Sequence, residues 1–189
     1  IPINVEEVVF SPIAAAQVML KREHKDRGSL LIDIGGGVTD YVMYTGGSVA
    51  QSGCIGVGGD HITNDISVVM KIPLTRSEKL KIEHGSALVE DDGGDSIFLE
   101  DGPLTSGLEI DKELLNQIIN ARATEIFEQL KDRITKHDDL DTLGAGVFLT
   151  GGGSKLKGID KLAEEILGLP VSLARISSMS GASAPFENP

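Results

Sequence analysis

The sequence predicts an α/β fold, a mixed sheet with flanking helices and a small inserted α/β subdomain. Three observations carry that reading. Short apolar stretches separated by Gly turns open the chain as a β-meander. Helix-like and strand-like runs then alternate. Each of two Gly triplets, Gly35-Gly36-Gly37 and Gly151-Gly152-Gly153, follows an apolar strand, and open α/β sheets hold ligands at the carboxyl ends of their strands.

A helix is expected over residues 11–21, with Pro12 in its first turn, where a missing N–H costs nothing. The charged stretch 21–27 reads as a solvated connection. Strands follow at 29–34, 41–44 and 49–55, the last two joined by a hairpin turn through Gly46-Gly47. Ile62, Ile66, Val69 and Met70 recur at helical spacing up to Pro73. Thr75 and Glu78 form a capping-box signature for a second helix, which His84-Gly85 closes. Residues 86–108 are acidic and Gly-rich, with one clear strand at 96–99. The longest helical pattern runs over 111–135, with Leu115, Ile119, Ile126, Leu130 and Ile134 on one face and Arg122 interrupting the stripe. After an acidic loop come a strand at 145–150, a helix at 158–167, a strand at 171–174 and a loop-like tail.

Of the 189 residues, 40% are hydrophobic and 24% charged, which is enough apolar material for a core. Lys and Arg number 17 against 29 Asp and Glu, a net charge of −12. No basic footprint for general nucleic-acid binding exists at that balance. The single cysteine, Cys54, cannot form an internal disulfide, which points to a reducing compartment, and it is expected in the core of a strand. No apolar run approaches a membrane span and no signal-peptide pattern opens the sequence. The opening Ile1-Pro2-Ile3 reads as mid-protein. Four dispersed histidines have no Ser or Cys partner, so acyl transfer has little support.

Three segments can carry chemistry. In the first, residues 33–40, successive glycines let backbone N–H groups converge on an anion, and Asp33 at the strand end can hold Mg²⁺ directly or through water. The alternative is a hairpin turn with Asp33 as a solvated cap. The segment lacks both the dinucleotide fingerprint and the Walker lysine. In the second, residues 149–155, the Gly turn leads toward a helix, and Lys155 adds a positive charge. The alternative is a plain strand-to-helix turn. In the third, Glu78 and Lys81 lie three apart on one helix face, where both can bond sugar hydroxyls, with Gly85 at the helix end. The alternative is a cap, an ion pair and a C-cap.

The segments LLIDIGGGVTD, GVGGDHITNDI, SEKLKIEHG and GVFLTGGGSKLKGI occur in the order found in the actin-like ATPase superfamily, whose domains are ribonuclease H-like. They resemble its second phosphate motif, the stretch after it, the ribose-contacting helix and the adenosine motif. GGDHITNDI, KIEHGSAL and LLNQIINARATEIFEQL are similar to the bacterial cell-division family FtsA, specifically to its C-terminal half.

The resemblance implies that residues 1–59 and 135–189 form the second large subdomain and 60–134 a smaller inserted one. It implies ATP and Mg²⁺ as ligands, with Asp33 holding Mg²⁺ through water. Gly35, Gly36 and Gly37 would cradle the phosphates. Glu78 and Lys81 would contact ribose, while Gly85, Gly151, Gly152, Gly153 and Lys155 would line the adenine and α-phosphate side. The first phosphate motif belongs to the other half. FtsZ and other division proteins, and further copies of the same protein in a filament, are the implied partners. The inserted subdomain, including the helix that carries Arg122, would face FtsZ. The implied location is the cytoplasmic face of the cell membrane at the division septum, with attachment through a C-terminal helix that this chain does not include. MreB-type filaments carry Glu directly before Pro at the start of the first helix. Ser11 stands there in this chain, a poor base for activating water, so slow or no ATP turnover is expected. The alternatives are a PilM-like pilus-assembly protein and a phosphotransferase such as a sugar kinase of the same fold.

Overall fold

A computed structural model describes residues 4–89, 95–99, 107–136 and 140–176. The expected tail loop over 177–189, most of the acidic stretch within 86–108 and part of the acidic loop near 138 lie outside those residues.

Two short helices, α1 (Ser11–Met19) and α2 (Arg22–Arg27), precede the sheet. Strands β1 (Ser29–Ile34), β2 (Thr39–Thr45) and β3 (Ser48–Ile55) follow as an antiparallel meander. Helices α3 (Gly59–Met70) and α4 (Leu74–His84) come next, then a hairpin of β4 (Ser96–Leu99) and β5 (Leu108–Asp111). Helix α5 (Lys112–Thr135) leads to β6 (Val147–Thr150), α6 (Ile159–Leu167) and β7 (Val171–Leu173).

The main sheet has the order β3-β2-β1-β6-β7. Tight Gly turns keep its first three strands antiparallel. The helical connections make β6 parallel to β1, and β7 parallel to β6. Strand β1 is therefore central and buried on both faces, which is why its sequence is a nearly unbroken apolar run. Leu31, Val42 and Tyr44 pack against Ala16 and Leu20 on the α1 side. Leu30, Ile32, Ile34, Tyr41 and Met43 pack on the other face with Phe127, Leu130 and Ile134 of α5 and Leu162 and Leu167 of α6. A further apolar cluster joins Ile62, Ile66, Leu80, Ile110, Leu115 and Ile119. Helix α5, with 24 residues, is about 36 Å long and serves both clusters, its first turns in one and its last turns in the other.

Four expectations need correction. Residues 22–27 form a helix rather than an irregular connection and stay solvated, with His24 stacked on Phe148 at 4.8 Å between ring centroids and Lys25 bonding Gln17 at 2.9 Å. Helix α4 starts one residue early, after Pro73, with no side-chain cap, so Thr75 and Glu78 form no capping box. The acidic stretch runs into a second strand, β5. Cys54 is exposed, because β3 is an edge strand. Arg122, the break in the apolar stripe of α5, forks onto Asp65 of α3 at 2.6 and 3.1 Å and also pairs with Glu125.

Candidate functional site

The end of β1 organises one edge of the molecule. Parallel pairing sets Asp33 opposite Thr150, so β1 and β6 finish together and release their Gly triplets side by side. Gly151 has a left-handed backbone, φ 86°, and a Cβ there would collide with the Asp33 carboxylate and lie 2.5 Å from the Ile34 carbonyl. Gly153 likewise abuts the Ile34 side chain. Gly152 faces open space. The triplet does not run straight into a helix. A single 3-10 turn, Gly152–Lys155, intervenes before α6, and the Ser154 hydroxyl holds that turn by donating to the Gly151 carbonyl at 2.7 Å.

The first triplet closes as a turn, with the Gly35 N–H donating to Val38 O at 3.0 Å. Its carbonyls then cap α3. Gly59 N donates to Gly35 O and Asp60 N to Gly36 O, each at 2.9 Å. That approach demands Gly58, since a Cβ there would fall onto Gly36 O and 2.6 Å from Gly35 O. The Asp60 carboxylate lies over Gly36, 2.9 Å from where a Cβ would be, while Gly37 is open.

Burial raises the Asp33 carboxyl above the usual aspartate range, and the negative charge of its cross-strand partner Asp40 raises it further. The Ser11 hydroxyl donates to Asp40 at 3.2 Å, so the start of α1 reaches the same corner. Among the described residues no group of three His, Cys, Asp or Glu forms a complete metal cage. An ion with so few protein carboxylates can complete its shell with water and ligand oxygens. Mg²⁺ behaves in that way, using one or two carboxylates with water and phosphate oxygens. The donor set of half-buried oxygens beside a Cβ-free cradle fits it.

Helix α4 supplies the third part. Glu78 and Lys81 pair at 2.7 Å. The Lys81 ammonium also donates to the Thr63 hydroxyl at 2.8 Å and to the Gly59 carbonyl at 3.0 Å. Thr63 in turn bonds the Glu78 carboxylate. Burial alone would raise the Glu78 carboxyl, but hydrogen bonds from Lys81 and Thr63, with the Lys81 charge, hold it below its ordinary value. Gly85 ends α4 where a Cβ would sit 2.5 Å from Lys81 O and 2.6 Å from Ile119 Cδ1, so it permits close packing on α5. The next residues run back to the far side of the second triplet: Ala87 N donates to Lys157 O at 2.8 Å.

Direct contacts through Gly58, Gly59 and Ile34 thus link Asp33, both triplets, Glu78 and Lys81, while Gly85 is buried between α4 and α5. Lys155 is exposed on the 3-10 turn beside them. Gly58, Asp60, Thr63 and Asp40 lie inside segments that the sequence singles out, but the sequence assigns them no individual role. The doubled Gly before α3 was the one usable signal, since it marks a backbone that must approach another closely. A separate cleft, lined by Gln17, Leu20, Arg22, Lys25, Asp26 and the Gly46-Gly47 turn, opens at the opposite end of β1 and β2. Its polar groups answer one another, Arg22 pairing with Asp26 and Lys25 with Gln17.

Residues 30–189 match the family model described as cell division protein FtsA. The chain is 31% identical over 188 residues to cell division protein FtsA of Pseudomonas aeruginosa, covering 99% of this chain and 45% of that one. It is 34% identical over 186 residues to that of Neisseria meningitidis serogroup B, covering 97% and again 45%. The chain therefore spans under half the length of these relatives. Among solved structures it is similar to MreB5 of Spiroplasma citri bound to ADP, with TM-score 0.72, 26% identity, and coverage of 88% of this chain and 54% of that one. That likeness makes the fold actin-like.

Proposed function

Because the chain belongs to the FtsA cell-division family, we propose that its two glycine loops and α4 form half of a cleft for ATP and Mg²⁺. The observation that supports this most is the contact chain from Gly151 through Asp33 to the first triplet, and from Gly59 to Lys81. A relative of the same fold binds ADP.

The residues divide the work. The backbone of Gly35, Gly36 and Gly37 approaches the phosphates, with Gly37 open and the Asp60 carboxylate beside Gly36. Asp33 would hold Mg²⁺ through water, and Mg²⁺ when bound neutralises phosphate charge. Its carboxylate, crowded by Asp40, gains most from a nearby cation. Glu78 and Lys81 orient the ribose. Gly85, Gly151, Gly152, Gly153 and Lys155 border the adenine and α-phosphate side. The hydroxyl of Ser11 is committed to Asp40 and is a poor proton acceptor, so binding proceeds with slow or no hydrolysis.

Nucleotide bound between two halves biases their closure, and closure changes the surfaces offered to neighbours. We assign to that step the control of self-assembly and the tethering of FtsZ filaments to the membrane at the division septum. Residues 60–134 form the inserted subdomain and the FtsZ-facing part. Arg122 supports that part from within, by clamping α5 to α3. Titration of the full-length protein with ATP in the presence of Mg²⁺ tests the reading. Lys81→Ala is expected to lower affinity at least tenfold, the effect of removing a charge-assisted contact. Affinity equal to wild type would overturn the assignment.

A further inference from the structure

The buried hydroxyl of Thr63 joins two parts of the site that the sequence treats separately. Thr63 is 6% exposed and lies one turn after Gly59 in α3. Its oxygen receives a hydrogen bond from Lys81 at 2.8 Å, and its own proton goes to the Glu78 carboxylate. The Gly59 carbonyl lies 3.2 Å away and takes a second bond from Lys81 at 3.0 Å. The same Gly59 offers its N–H to Gly35 of the first glycine turn at 2.9 Å. One residue therefore touches the turn with its amide and the Lys81 ammonium with its carbonyl.

Lys81 and Glu78 are long side chains with many rotamers, and holding both in one arrangement costs conformational entropy. An ion pair alone at a partly exposed position fixes geometry poorly. Thr63 is stiff at χ1 and sits on the helix whose start is capped by the turn. It supplies a third, rigid point between the two charged groups.

We propose that Thr63 is the positioning residue for ribose recognition, holding Glu78 and Lys81 in register with the phosphate turn so that the site distinguishes a ribonucleotide from its 2′-deoxy form. The proposal rests on the nucleotide reading above and goes beyond it. Thr63 touches no ligand in this scheme. It acts through the two side chains it orders. Thr63→Val keeps the shape and removes both hydrogen bonds. Lys81 and Glu78 then close on each other and lose their common anchor.

The test measures the affinities of ATP and 2′-deoxy-ATP with Mg²⁺, on full-length wild type, Thr63→Val, Thr63→Ser and Lys81→Ala. Wild type is expected to prefer ATP. Thr63→Val should weaken ATP about tenfold while weakening 2′-deoxy-ATP less, so that the preference falls toward one. Thr63→Ser, which restores the hydroxyl, should recover it. A merely structural role would weaken both nucleotides equally, and that result overturns the proposal. So does a wild type without preference, which can be read even if Thr63→Val fails to fold. If Thr63→Val keeps the wild-type preference while Lys81→Ala loses binding, the positioning role fails and the nucleotide site stands. If Lys81→Ala binds ATP like wild type, the nucleotide reading itself fails.

Discussion

Asp33 and Gly151 meet so closely that each limits what the other can be. A side chain at Gly151 would meet the Asp33 carboxylate and would also sit in left-handed backbone. Gly151→Ala should cost about 1–3 kcal/mol from the backbone alone, measured by denaturant unfolding, and should also reduce nucleotide affinity. Asp33→Asn makes the opposite prediction for stability. Burial and Asp40 raise the Asp33 pKa in the folded state. The folded chain therefore holds that proton more tightly than the unfolded chain, and stability from this group falls as pH rises from the ordinary aspartate value through the raised one. Without ligand, Asp33→Asn should be more stable than wild type at neutral pH and gain nothing well below the ordinary aspartate pKa, as thermal melts at the two pH values will register. Glu78 runs the other way. Its pKa is depressed, so its contribution is present above the ordinary glutamate value and is lost as pH falls through the depressed one. At this scale the triplets and Asp33 were legible because their demands are local: a Gly letter states a backbone need. Thr63 was not legible, because a threonine inside a helix carries no mark of which neighbouring helix it will meet. Cys54 was misplaced for a similar reason, since strand position alone does not say which strand forms the edge.

Helices α4 and α5 hold the site by packing rather than by propensity. Ile119 is fully buried in the cluster beneath α4, with its Cδ1 against Gly85. Ile119→Ala should cost about 2–5 kcal/mol and speed amide exchange over α4. Thr75→Ala provides the contrast. Were Thr75 a true cap, its removal would cost about 1 kcal/mol. It is exposed and caps nothing, so the change should stay within about 0.5 kcal/mol in denaturant unfolding. The Thr75–Glu78 pattern was a misleading signal because Glu78 had a stronger use, binding Lys81 and Thr63 across the helix pair. Helix α5 was readable over its full length from apolar spacing, and the structure adds its cap, the Asp111 carboxylate, which accepts from Glu113 N and Leu114 N. Helix α2 was not, because His24 and Lys25 look like surface residues until Phe148 and Gln17 are brought beside them.

At the scale of the molecule, the proposed arrangement is one side of a nucleotide cleft. Parallel pairing of β1 with β6 aims both triplets at the same edge, and α3 and α4 stand beside them through Gly58 and Gly59. The order of the four motifs in the chain made that convergence readable in advance, while the contacts that hold it needed the fold. A chain of net charge −12 that presents Asp33, Asp40 and Asp60 around the proposed phosphate site would gain from a cation there. The most direct measurement is a crystal structure of the full-length protein grown with a non-hydrolysable ATP analogue and Mn²⁺ in place of Mg²⁺, with the metal located by its anomalous scattering. The predicted result is one Mn²⁺ peak beside the Asp33 carboxylate, phosphates between the two glycine triplets and ribose against Glu78 and Lys81. Nucleotide and metal bound elsewhere, with both triplets free of phosphate, would contradict it.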